Sequence, residues 1–168
     1  MVGQKNEEVS DIFLQEKPRK IVIFLKEQNK PLYTSIISKE IDSTYSHTFN
    51  VVSRLEELKL VSFKESGRVK LVKLTELGEE VAQAMINLVE LLKLSEIENK
   101  LSKIYDKEIR GKLREQMNKD SITSQFNKLK EDINESFKEG HDNVSFLAKK
   151  LLKRIDSTFA EAFGYLPG

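Results

Sequence analysis

Cysteine is absent from this chain of 168 residues. That single absence excludes disulfides, thiolate metal sites and a cysteine nucleophile together. Histidine is scarce, with only His47 and His141, and neither stands in a cluster of metal-ligating residues. No glycine-rich phosphate loop and no nucleophile elbow is present. An enzyme is therefore not expected, and no cofactor or metal is implied. Long apolar runs are also lacking, since none approaches the roughly 20 residues that a membrane span needs. The opening MVGQKNEEVSD has neither a basic leader nor an apolar signal core. A cytoplasmic protein that does not enter membranes is the expectation.

What is present is a charged, helix-forming text. An apolar fraction of 39% and a charged fraction of 33% suit a globular protein, and the length holds one medium domain or two small ones. The net charge is only +1, but it is unevenly spread. Residues 1–16 carry one lysine against four acids, residues 17–75 twelve Lys and Arg against six acids, and residues 76–168 fifteen against seventeen. The middle segment is thus basic by +6 between acidic flanks. A local basic excess is what phosphate neutralisation requires, although chance fluctuation in a lysine- and glutamate-rich chain also produces one.

After a polar N-terminal segment, 1–16, the first helix opens at Lys17-Pro18-Arg19-Lys20. Proline is tolerated there because the amide it lacks has no partner in a first helical turn. Ile21, Val22, Phe24 and Leu25 form its inner side, and it is expected to stop near Gln28-Asn29. Lys30-Pro31-Leu32-Tyr33 reads as a connector, followed by a short helix capped by Thr34 or Ser35 with Ile36, Ile37 and Ile41 inward. Asp42-Ser43-Thr44 forms the next turn and cap. A third helix follows over 45–59, where Thr48, Val51, Val52, Leu55 and Leu58 recur at spacings of three and four on one face. Ser46, His47, Asn50, Ser53 and Arg54 fall mainly elsewhere on it.

Two stretches then alternate with a period near two, Leu60 to Lys64 and Val69 to Leu74, joined by Glu65-Ser66-Gly67-Arg68. They predict a two-stranded hairpin packed on the three helices. Thr75 restarts a helix, in which Leu77, Val81, Ala84, Met85, Leu88, Leu91 and Leu92 repeat up to about Leu94. That apolar band is wider than one groove of a small domain needs, so the helix is a candidate dimerisation element or an internal packing element. Further on, Ile97, Leu101, Ile104, Ile109, Leu113 and Met117 suggest one helix or two, with Gly111 as a weak point. Lys119-Asp120-Ser121 reads as a break and cap. Phe126, Leu129, Ile133 and Phe137 mark a helix ending near Glu139-Gly140, after which His141-Asp142-Asn143 caps a last one. Val144, Leu147, Leu151, Ile155, Phe159 and Phe163 form its inner side.

Residues 17–80 resemble the winged helix-turn-helix domain of archaeal and bacterial transcriptional regulators of the multiple-antibiotic-resistance, arsenic-repressor and PadR kind. The carrying residues are Thr44-Tyr45-Ser46-His47-Thr48, Ser53-Arg54-Leu55-Glu56-Glu57-Leu58-Lys59-Leu60-Val61, Gly67-Arg68, and Leu74-Thr75-Glu76-Leu77-Gly78. Lys59 departs from the pattern, where such proteins often have a glycine ending the helix. Residues 95–168 match no nameable family. The fold class expected is mainly α with a small β-wing: a winged helix-turn-helix over 17–80, then a helical dimerisation or accessory region over 75–168.

The resemblance implies double-stranded DNA as partner, with helix 45–59 in the major groove and the wing, 62–73, on the adjacent minor groove or backbone. Ser46, His47 and Asn50 are then the base-reading candidates. Thr44, Tyr45, Ser53 and Arg54 are phosphate contacts, Arg68 sits at the wing tip with Lys64 and Lys70 in support, and Lys39 and the Pro18-Arg19-Lys20 entry touch flanking phosphates. Plainer roles stand beside these. Tyr45 suits a staple at the helix start, Phe49 a core or interface residue, and Arg54 a surface pair with Glu56 or Glu57. Arg68 suits a solvated turn residue. The functional expectation is a homodimeric regulator pairing through helix 75–94 and the C-terminal helices, with a small-molecule effector as an open option. The alternative is a winged-helix interaction module, or a plasmid- or virus-encoded replication or segregation factor, whose helical tail binds a partner.

Overall fold

A computed structural model describes residues 15–66, 69–137 and 142–164. The protein is mainly helical, with a small three-stranded antiparallel sheet after the early helices: a winged helix followed by C-terminal helices. Two compact units divide the chain, residues 1–86 and 87–168.

The first unit begins with α1, Glu16–Gln28. Pro18 occupies its first turn, and Ile21, Val22 and Leu25 are buried. Asn29 ends it in the left-handed region at φ 47°, its amide donating to the carbonyls of Leu25 and Lys26. Asparagine takes that conformation more readily than most residues. Leu32–Tyr33 is not a plain connector but a strand, β1. Its backbone pairs with an otherwise open edge of the sheet, Leu32 opposite Val72 and Tyr33 opposite Leu71, and Leu32 is buried there. The expected two-stranded wing is therefore part of a three-stranded sheet. The short helix α2, Thr34–Glu40, has Tyr33 at its N-cap without a side-chain cap bond, so neither Thr34 nor Ser35 caps it. Thr34 is instead the first helical residue and is buried, and it shares the inner side with Ile37 and Ile41, whereas Ile36 is exposed and does not point inward.

The turn after α2 is closed by backbone bonds. Ser43 donates to the Ser38 carbonyl at 2.9 Å and Asp42 to that of Lys39 at 3.3 Å, with Asp42 left-handed at φ 50°. These are the paired bonds of a Schellman motif. Lys17 ties α1 to the same corner, its Nζ donating to the carbonyls of Ile41 at 2.6 Å and Asp42 at 2.8 Å. The helix α3, Tyr45–Glu57, then starts at the Thr44 cap. It ends two residues sooner than expected because Lys59 turns left-handed at φ 61°. Lys59 donates to the Glu56 carbonyl and Leu60 to that of Leu55, a second Schellman closure.

Strands β2, Val61–Ser66, and β3, Val69–Leu74, pair in register from Val61 opposite Leu74 to Ser66 opposite Val69. The sheet order is β1-β3-β2. Alternation puts Val61 and Val72 in the core and leaves Lys64 and Lys73 exposed. The helix α4, Glu76–Ile104, runs ten residues past the expected end. Nothing between Leu94 and Ile104 breaks a helix, and buried Leu94, Ile97 and Leu101 give that stretch an inner side. The start of α4 is fixed by Thr75, whose hydroxyl donates to the Lys59 carbonyl at 2.6 Å and accepts from the Gly78 amide at 3.0 Å. A Cβ on Gly78 would lie 1.9 Å from the Leu60 carbonyl oxygen, so this turn requires glycine.

In the second unit, the end of α4 gives way to a π-turn at Tyr105–Ile109 and a 3-10 turn at Arg114–Gln116. The chain therefore does not continue as helix through Leu113, which is 67% exposed. The helix α5, Lys119–Ser136, is capped by Asn118, whose side chain accepts from the Ser121 amide at 3.0 Å, one residue before the expected cap. The last helix, α6, spans Asp142–Phe163. The expected helix end at Glu139-Gly140 and the His141 cap lie outside the described residues. Phe126, Leu129, Ile133, Phe137, Val144, Leu151, Ile155 and Phe159 are buried as their spacing predicts, while Leu147 is exposed and Ala148 takes the inner position beside it. The core ends in a run of rings, Phe126 edge-on to Phe159 and Phe159 against Phe163, with centroids 6.2 Å and 4.8 Å apart. Among the described residues no helix is long and apolar enough to cross a membrane.

Candidate nucleic-acid interface

The reading surface is built on α3, a helix with two unlike sides. Thr48, Val52 and Leu55 are completely buried and fix it to α1, α2 and the sheet. Ser46, His47, Asn50 and Arg54 are exposed, and Ser53 is half-buried. Thr44 has a local task as the N-cap, its hydroxyl accepting from the His47 amide at 3.2 Å. It therefore orients the helix start, where the orphan amides lie.

His47, Asn50 and Arg54 come together around one hollow of about 180 Å³, walled also by Val51 and by Gln15 and Pro18 at the start of α1. This hollow is polar at its α3 side and carries a guanidinium, the group best suited to a planar oxyanion. Glu16 stands at the same helix start. Its carboxyl is held below the usual carboxylate range, first by the hydrogen bond from Lys20 and then by the charges of Lys20, Lys17 and Arg19. It is fully exposed, so the surrounding water weakens its field. Lys39, in the last turn of α2, and Lys64, on β2, are exposed but do not line the hollow. Arg68 lies outside the described residues, as does the Lys70 side chain.

Tyr45 and Phe49 belong to a run of rings at the start of α3. Phe49 is exposed rather than part of the core, and its ring stacks with Tyr45 on one hand and Phe63 of β2 on the other, each with centroids 6.3 Å apart. The spacing of Tyr45 and Phe49 already places them on one helix face, but the contribution of Phe63 depends on how the sheet meets α3. Gln15 carries no such signal in the sequence, because its approach to α3 is tertiary. Among the described residues no group of three or more His, Asp or Glu is placed to hold a metal ion.

No known family's sequence profile matches the chain. An uncharacterized protein from Archaeoglobus fulgidus is 26% identical over 61 residues, 36% of this chain and 64% of that protein. The chain thus spans less than two thirds of the length of the curated relative it matches. A crystal structure of a protein from Archaeoglobus fulgidus matches with a TM-score of 0.46 at 23% identity, over 51% of this chain and 97% of that one. The heme sensor protein PefR, in complex with heme and carbon monoxide, matches with a TM-score of 0.39 at 18% identity, over 93% of this chain and 84% of that one. With likenesses this distant, the functional reading rests on the geometry of α3.

Proposed function

We propose that the chain is a sequence-specific double-stranded DNA-binding protein, acting as a homodimeric transcriptional regulator and not as an enzyme. The observation that carries this reading is the division of α3. One side is locked by fully buried residues, while Ser46, His47, Asn50 and Arg54 stand free of the core on the other. Such a helix enters the major groove with its early residues at base edges. Asn50 is the residue for adenine, whose N6 and N7 it can pair bidentately, and Ser46 and His47 read beside it. Arg54 meets phosphate, with Tyr45, Ser53, Lys39 and Lys64 setting register around it. The wing formed by β2 and β3 lies on the adjacent minor groove or its backbone.

Dimerisation is proposed through α4 and the C-terminal helices. Leu77, Leu88, Leu91 and Leu92 along α4 are all exposed, which a lone helix in water does not favour. The same leucines support the second reading, an interaction module whose helical region binds another protein.

Fluorescence anisotropy with genomic duplex fragments tests the first reading. Asn50→Ala should weaken the tightest fragment by about 1–3 kcal/mol and relax its sequence preference. Arg54→Ala should weaken all fragments alike and reduce the slope of log affinity on log salt by about one. If both variants leave affinity and salt dependence unchanged, the reading surface is wrongly assigned.

A further inference from the structure

We infer that Phe49 reads the C5-methyl group of thymine in the major groove, an assignment that rests on the DNA-binding reading of α3. Thr48, beside Phe49 in the chain, is completely buried, and so is Val52 one turn on, whereas Phe49 keeps 39% of its surface exposed. Phe63, which it meets, is half-buried and packs on the core of the unit. Phe49 is held by other rings. Phe63 stacks with it at an interplanar angle of 26°, and Tyr45, 56% exposed, stacks with it at 18°. The three rings form a ladder that starts at the core and grows more exposed towards the first turn of α3.

A ring held in this way loses little freedom when it is covered, because its two side-chain torsions are already set. Its chain neighbour is Asn50, and Ser46 lies three residues before it on the same helix. Ser46 and Phe49 are therefore neighbours on the helix surface, with Asn50 about 100° further round. The major-groove edges of the bases carry donors and acceptors, with one apolar group that separates them, the thymine methyl, and phenylalanine is among the side chains suited to it. Asn50 on adenine and Phe49 on a thymine methyl would together select A·T pairs.

The test uses the full chain and duplexes that it selects from a random pool. The selected duplexes are resynthesised with deoxyuridine in place of thymine, which removes the methyl groups and leaves the hydrogen-bonding edges unchanged. The unmodified protein should bind the uracil duplex about fourfold more weakly for each methyl it covers. Phe49→Ala should bind both duplexes equally, and Phe49→Leu should keep part of the preference. Phe49→Gln, which retains length but not the apolar edge, replaces the alanine variant if that variant does not fold. Equal affinity of the unmodified protein for both duplexes overturns the assignment, as does an undiminished preference in Phe49→Ala or Phe49→Gln. Either result leaves DNA binding by α3 intact. Recovery of no duplex from the pool overturns the DNA-binding reading and this inference together.

Discussion

The two units differ in the kind of exposed side chain that their helices set side by side. In the first, α3 turns hydroxyl, imidazole, amide and guanidinium groups outward, and its apolar exposure is confined to the rings of Tyr45 and Phe49 and a few side chains such as Tyr33, Ile36 and Leu77. In the second, Leu88, Leu91, Leu92, Phe146 and Leu147 are exposed although the core beneath is complete. Polar groups held on a rigid helix suit a polar, patterned partner. Bare leucines suit an apolar partner that covers them, since burying one is worth about 1.5–3 kcal/mol. The contrast suits the proposed division of labour, with recognition on one unit and association on the other.

The comparison breaks most sharply at the leucines. Leu88 and Leu92 are 56% and 59% exposed and lie one turn apart on α4. Replacing both by lysine should convert a dimer to a monomer, read as a halved mass in light scattering. Four leucines leave the interface of a symmetric pair, and as each is a little over half exposed beforehand, together they account for about 3–7 kcal/mol. If the unmodified protein already scatters as a monomer, these leucines belong to a different protein partner. A second large effect belongs to Gly78. Gly78→Ala drives a Cβ into a backbone carbonyl that cannot rotate aside, and should cost about 3 kcal/mol or more in chemical denaturation. Gly111 in the second unit, at φ 72° with no atom within 4 Å of an added Cβ, offers the contrast. Gly111→Ala should cost only left-handed strain, about 1–2 kcal/mol.

The units also differ in how far the chain alone disclosed them. The first was legible because unlike signals followed one another: a capped turn at Thr44, a period near three and a half, then alternation, then Thr75. Each restricts what its neighbours can be. What escaped was tertiary, namely the pairing of Leu32–Tyr33 with β3 and the meeting of Phe49 with Phe63. In the second unit a single kind of signal repeats. Helical periodicity correctly marks Phe126, Ile133, Ile155 and Phe159 as buried, but misplaces Leu113 and Leu147. Periodicity reports an inner side and is silent on where a helix ends without a glycine or proline to stop it. It is equally silent on what covers the outer side, which is why the role of residues 95–168 remained unread.

A smaller effect tests how tightly α3 is held. Thr48 is completely buried, and its hydroxyl oxygen has no hydrogen-bond partner. A buried hydroxyl without a partner carries its full desolvation cost. Thr48→Val keeps the branched shape and removes that oxygen, and should stabilise the first unit by about 1 kcal/mol in urea denaturation. DNA affinity should not change, because Thr48 faces away from the reading surface. A loss of affinity would mean that the hydroxyl finds its partner only in the complex, and the two sides of α3 would then not be separate in function.

The smallest effect concerns the residue that departs from the winged-helix pattern. Lys59 adopts φ 61°, the conformation for which a glycine commonly closes a helix, whereas Asn29 and Asp42 at the other two left-handed corners are residue types that tolerate it. The strain on a lysine there is about 1 kcal/mol, partly offset because glycine gives the unfolded chain more freedom to lose. Lys59→Gly should therefore raise stability by about 0.5 kcal/mol, measured as a shift in the denaturation midpoint at unchanged slope. The Thr75 bond to residue 59 uses the carbonyl and survives the change. Lys59→Asn separates conformation from charge. If asparagine and glycine stabilise alike but both weaken DNA binding, the lysine is kept for its charge, and the strained corner is part of the phosphate-binding surface. If neither affects binding, the corner is purely a helix stop, and the reading surface ends with Arg54.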